Sequence, residues 1–269
     1  MGLFNIAFLL GWGTGPILGG LVKDSLGTDA TFWAMVLMSG AAFAVILLFL
    51  PRVPADDSHN RPRAKETPWL KLLGDSTLVA LGSFQLIVGL SLGALMSFLP
   101  VFMASNLGAG ATAIGIVLST RTLLNGLLVY PYGRLADRSS RVLLVAAGAT
   151  VTAAGTFVVS WMASFGALLA VLSITGLLES MATPAANAMV VERGRELGMG
   201  SVMGIFNMLS GVGVLVGSLA GGLIQDLLGV QNVFRFSAVI ILIGVGTFYI
   251  LMKRAQRHRT IMPSLPDRS

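Results

Sequence analysis

Apolar residues run along this chain in eight stretches, near residues 3–22, 30–50, 77–102, 112–132, 142–161, 166–190, 201–224 and 232–252. A helix needs about 20 such residues to cross roughly 30 Å of hydrocarbon at 1.5 Å rise per residue, so each stretch predicts one span. The polar connections alternate between two sides. Lys23 to Asp29, Ser105 to Ala111, Ala163 to Phe165 and Gln225 to Gln231 are short and fall on one side; Pro51 to Ser76, Gly133 to Arg141, Val191 to Gly200 and the tail from Lys253 fall on the other. The pattern predicts an all-α membrane protein of eight transmembrane helices.

Within the pattern, one stretch occurs twice. Shifting the chain by 202 positions lays Met1-Gly2-Leu3-Phe4-Asn5 on Met203-Gly204-Ile205-Phe206-Asn207, and Gly11, Gly15, Gly19 and Gly20 on Gly213, Gly217, Gly221 and Gly222. Asp24, Gly27 and Phe32 fall on Asp226, Gly229 and Phe234, so spans 1 and 2 repeat as spans 7 and 8. A repeat this long does not build a solenoid; it fits a membrane protein made of two similar helix bundles. Small residues every four positions let helix backbones approach closely in lipid, so Gly11, Gly15 and Gly19 are expected to form a packing face, bent at Pro16. Span 7 carries the same glycines but Ser218 in place of the proline, and its face is expected to lack a partner in this chain.

Composition narrows the class. The chain is 55% hydrophobic and 11% charged, with a mean hydropathy of +0.83, as for a protein whose outer surface meets lipid. It has no cysteine, which excludes thiol chemistry, and its two histidines lie in polar segments, which leaves little for a metal. The net charge of +6 resides in connections between apolar spans, where membrane topology explains it and nucleic-acid binding does not. Of the 18 Lys and Arg, 15 lie on the side that holds Pro51 to Ser76, so that side is expected to be cytoplasmic, with both termini on it. Met1-Gly2 enters apolar sequence without a basic segment, so the chain is expected to begin inside a span. Pro51 to Lys71, with four prolines and mixed charge, reads as a solvated linker, and Lys253 to Arg259 as a stop-transfer cluster against anionic lipid.

Three segments carry a family resemblance. Gly11-Trp12-Gly13-Thr14-Gly15-Pro16-Ile17-Leu18-Gly19-Gly20 resembles the Gly-Pro signature in the fifth helix of proton-coupled drug antiporters. Gly133-Arg134-Leu135-Ala136-Asp137-Arg138-Ser139-Ser140-Arg141 resembles the G-x-L-x-D-R-x-G-R loop motif between helices eight and nine, with Ser140 where the pattern has glycine. Glu192-Arg193-Gly194-Arg195 to Gly200 resembles the lead-in to the eleventh helix. By these, the chain resembles the major facilitator superfamily, transporters of two six-helix bundles joined by a long cytoplasmic loop. The resemblance implies that residues 1–50 are the last two helices of a first bundle whose first four are absent from this sequence. Residues 51–76 are then the linker, 77–252 a complete second bundle, and 253–269 a basic cytoplasmic tail. It further implies that the Gly-Pro face seals the outer end of the seam against span 4. In the loop motif, Gly133, Arg134, Asp137, Arg138 and Arg141 would form an ionic brace at the cytoplasmic gate, Asp137 accepting from guanidiniums and facing the start of span 1.

Two charges lie deep in apolar spans, Arg121 and Glu179, and each would cost several kcal/mol facing lipid. They face a cavity or pair with one another to hold the bundle. By the resemblance, their helices border the central cavity, which Gln85, Asn125 and Asn187 would also line. A buried carboxylate is the natural proton carrier, which singles out Glu179. The expected function is transport of a small solute, as proton-coupled efflux by alternating access at the plasma (inner) membrane. The partners would be the lipid bilayer, a small-molecule substrate and the proton, with a missing N-terminal bundle or self-association, and no cofactor. The rival is a non-transporting membrane remnant or scaffold. An intramembrane enzyme has little support, because no span holds a histidine, a cysteine or a carboxylate pair.

Overall fold

A computed structural model describes residues 2–49 and 74–261, so most of the expected linker and the end of the tail lie outside the described residues. These fold into helices joined by short turns, with no strand among the described residues: α1 (Gly2–Leu26), α2 (Thr28–Phe49), α3 (Ser76–Leu107), α4 (Ala111–Arg138), α5 (Arg141–Val159), α6 (Phe165–Glu179), α7 (Ala182–Leu197), α8 (Met199–Leu228) and α9 (Val230–Ile261). Seven segments are long and apolar enough to cross a membrane, with α6 and α7 together forming one of 33 residues; the 25-residue α1 stands outside those seven. The break inside that segment follows from Pro184. Proline has no N–H for the Ser180 carbonyl, and its ring crowds that carbonyl, so the helix parts at Ser180-Met181, directly after Glu179.

The helices outlast the hydrocarbon. At 1.5 Å per residue, the 28 residues of α4 span roughly 42 Å, so most of the expected Gly133 to Arg141 loop is the last turns of α4, and only Ser139-Ser140 connect it to α5. Likewise α7 runs through the expected turn to Leu197, leaving Gly198 as the link to α8. The starts and stops have local causes. The Asp75 carboxylate accepts from Thr77 N (2.8 Å) and Leu78 N (3.0 Å) at the start of α3. At its end Gly108 takes φ +60° while Ala109 N–H reaches Met103 O at 3.0 Å.

α3 through α9 pack about two apolar clusters. One gathers Leu81, Phe84, Val145, Val190 and Phe248, with the Phe84 and Phe248 rings 5.4 Å apart; the other gathers Leu99, Phe102, Leu168, Leu172 and Phe234, with Phe102 edge-on to Phe234 at 5.5 Å. α1 docks on α4, and α2 docks on α1 without burying a single residue. Leucine, phenylalanine and tryptophan side chains on α2 are exposed along its length, as on a surface solvated by lipid tails.

The repeated helices turn different faces to their partners. In α8 the stripe Gly213, Gly217, Gly221 is buried on α3, where any side chain on Gly213 or Gly217 would strike the backbone of Leu86 and Leu90. The expectation that this face lacks a partner is therefore corrected: Gly89 and Gly93 of α3 receive it at backbone contact distance. In α1 the matching Gly11, Gly15 and Gly19 have no atom of another helix among the described residues within 4 Å of where a side chain would begin. That helix instead docks through Gly13, Pro16, Ile17 and Gly20; of their counterparts in α8, Leu215 and Leu219 are exposed, whereas Ser218 turns to α3, where it bonds Gly93 O (3.3 Å) and Ser97 Oγ (3.1 Å). The expected packing face of α1 is thus replaced by one rotated around the helix, because the partner is α4 and not a copy of α3. Both copies end alike, on a glycine of positive φ: Gly27 (89°) and Gly229 (88°), a conformation that costs glycine little.

Candidate functional site

Arg121, Asn125 and Glu179 meet between α4, α5 and α6. The Arg121 Nη2 donates to Glu179 Oε2 at 2.7 Å, and Asn125 Nδ2 donates to Glu179 Oε1 at 3.2 Å. Arg121 and Asn125 stand four residues apart, one helical turn, so both side chains leave the same face of α4. Gly176 makes the approach possible: a side chain there would press on the Arg121 carbonyl and stem, so α6 can lie directly over α4 only with glycine at that position. Thr152 of α5 completes the cluster, its Oγ1 bonded to Gly148 O (2.9 Å) and within 3.4 Å of Glu179 Oε2.

The cluster is nearly dry. Arg121 is 9% exposed and the Glu179 side chain 15%, and the Arg121 Nε is buried with no hydrogen-bond partner among the described residues. One positive and one negative charge cancel, but the guanidinium retains an unused donor. Glu179 is the last residue of α6, so the cluster sits directly beside the helix break at Ser180-Met181. Gln85 is half-buried and Asn187 exposed, and neither holds a hydrogen bond to the cluster.

At the end where α4, α5 and α7 emerge, the structure pairs charges differently from the loop motif's expectation. Asp137 and Arg138 are exposed and form no hydrogen bond or ion pair among the described residues, and Arg134 lies over the Tyr130 ring at 4.9 Å. Gly133 has open space around it. The motif's last member, Arg141, donates to Glu192 Oε2 at 2.8 Å, and Arg193 reaches Glu196 (2.6 Å), Asp75 (3.6 Å) and the Thr77 hydroxyl (3.0 Å). The ion pairs thus join the starts of α3 and α5 to α7. Asp137 stands apart from these pairs, exposed on the last turn of the helical extension of α4.

The α1–α4 seam is tight from end to end, in two modes. Near Gly13 and Gly126 the gap is filled by Leu123 and Leu9 side chains; near Gly20 and Gly115 the two backbones themselves touch. Between these, the Ile17 N–H beside Pro16 donates across the seam to Ser119 Oγ at 3.1 Å. At the Asp24 end, its carboxylate accepts from Ala111 N (3.1 Å) and Thr112 N (2.7 Å), capping α4 from another helix. The Thr112 backbone N–H, helped by its hydroxyl and by Lys23, holds the Asp24 carboxyl below its ordinary range. Neither Asp24 nor Thr152 stands out in the sequence, although Asp24 recurs as Asp226 in the repeat.

A model of the Major Facilitator Superfamily matches residues 1–86 and 81–263. An uncharacterized MFS-type transporter of Methanocaldococcus jannaschii is 23% identical over 257 residues, covering 92% of this chain and 65% of its own length. Multidrug resistance protein MdtG of Citrobacter koseri is 28% identical over 171 residues (62% of this chain, 41% of its own), and that of Salmonella arizonae 27% over 185 residues (67% and 45%). The chain thus spans less than two thirds of the length of these relatives.

Proposed function

Because the chain belongs to the major facilitator superfamily, we propose that it serves transmembrane efflux of a small solute in exchange for protons, by alternating access at the plasma (inner) membrane. Glu179 carries the proton. The single observation behind this is the Arg121–Glu179 cluster, a midspan ion pair with a spare buried donor at a helix break. As the anion, Glu179 holds α6 to α4 through Arg121 and Asn125; protonated, it loses the charge that holds Arg121. That removes the charge–charge attraction, leaves a weaker bond from the guanidinium to a neutral acid, and frees a cation for substrate or for a second conformation. The names of the MdtG relatives support an exported drug-like substrate. The excess of Lys and Arg in Gly133 to Arg141, Val191 to Gly200 and beyond Lys253 supports a cytoplasmic orientation of that end, with both termini, and an outer position for the Asp24 end.

The test is the 269-residue chain in vesicles enclosing a pH-sensitive dye, challenged with a panel of amphiphilic amines. Substrate-triggered proton movement, lost in Glu179→Gln, is the expected result. Proton movement indifferent to Glu179→Gln, or none with any amine, overturns the proposal.

A further inference from the structure

The proposed cycle requires the α1–α4 seam to part at its outer end, and that end carries a polar fastening the family comparison does not mention. Resting on the efflux reading, we infer that Asp24 is a latch: its carboxylate, by capping the N-terminus of α4 from across the seam, holds the outer end shut, and opening begins when the cap lets go. Three observations meet there. The two bonds, to Ala111 N and Thr112 N, join different helices, although a helix start is ordinarily capped from its own preceding residue. The residue in that place, Gly110, has no side chain to do it, and its α-carbon lies so close to Asp24 that a Cβ would sit 3.0 Å from the carboxylate. The backbones then touch at Gly20 and Gly115, so the cap closes the narrowest part of the seam, whereas the opposite part is spaced by leucine side chains.

The internal repeat supplies a control. Asp226 occupies the same place in α8, ends the same kind of helix and is exposed as Asp24 is, but it bonds to nothing among the described residues. An aspartate before the glycine turn is therefore not needed to end such a helix. What distinguishes Asp24 is the helix start opposite it.

The chain contains no cysteine, so two introduced ones report alone. Spin labels at Leu26→Cys, on the α1–α2 turn, and Asn106→Cys, beside the start of α4, measure the opening directly by pulsed electron resonance in nanodiscs. Wild type is expected to show a predominantly short distance. Asp24→Ala should raise the longer-distance fraction several-fold; Asp24→Asn, which keeps one carbonyl acceptor, should fall between; Asp226→Asn should match wild type. A distribution unchanged in Asp24→Ala overturns the latch. If that variant does not fold, Asp24→Asn decides alone, and its coincidence with wild type is equally fatal. The readout needs no transport: a latch effect in a chain without proton movement retains the latch and removes the efflux reading, and the reverse outcome removes only the latch.

Discussion

Replacing Glu179 by leucine removes the acceptor for Arg121 Nη2 and Asn125 Nδ2 while leaving a guanidinium that is 9% exposed and already lacks a partner at Nε. Two estimates bracket the loss. Breaking a buried pair from one side costs about 3–5 kcal/mol in proteins generally. Placing an arginine at mid-membrane costs about 2.5–3.5 kcal/mol on insertion scales, because the long side chain finds some water or headgroup. The lower range should prevail, since Arg121 retains slight exposure; about 3 kcal/mol is roughly a hundredfold or more in the folding equilibrium. Arg121→Leu strands the carboxylate instead, at a similar cost. The double variant removes both charges and should recover at least half of either loss, since an apolar pair of similar size tolerates the site. Detergent-induced unfolding followed by far-ultraviolet circular dichroism measures all three. If the single losses simply add in the double variant, the two groups do not act as a pair and the reasoning fails.

The glycine stripes give opposite outcomes for the same substitution. Gly217→Ala drives a methyl into the Leu90 carbonyl and should destabilise by about 1–3 kcal/mol, whereas Gly15→Ala meets open space and should be neutral or slightly stabilising by thermal unfolding. For Asp24, a carboxylate held below its ordinary value of 3.8 contributes closure that is fully present above that value and lost only as pH falls through the lowered one. The spin-label distances should therefore be constant between about pH 5 and pH 8, and a shift within that window would show that a group other than Asp24 holds the seam. Arg141→Ala breaks an exposed pair with Glu192 and should cost no more than about 1 kcal/mol in the same unfolding assay.

Much of this was legible in the sequence, for reasons tied to particular residues. Long apolar runs name the helices, and the recurrence of Gly11, Gly15 and Gly19 as Gly213, Gly217 and Gly221 names the repeat. The face that each copy buries was not legible, because the glycine stripe is identical in both and only the neighbouring helix, α3 or α4, decides. Arg121 and Glu179 stood out since two charges in apolar spans must be satisfied. Thr152 did not, as a threonine in such a helix commonly bonds its own turn, and here it also does so at Gly148. The helical extension of α4 past Gly133 escaped notice because hydrophobicity ends where the hydrocarbon ends, and the helix does not. Asp24 reads as one more solvated acid at a turn; its role is visible only once α4 begins beside it.

The central claim is that Glu179 carries the coupling proton, and one comparison separates that from a merely structural pair. With vesicles containing wild type or Glu179→Gln, substrate exchange is measured without a pH gradient and substrate accumulation with one. The account predicts that Glu179→Gln retains exchange, since Arg121 and Asn125 still find a carbonyl acceptor, and loses accumulation driven by the gradient. Gradient-driven accumulation that survives in Glu179→Gln would contradict it.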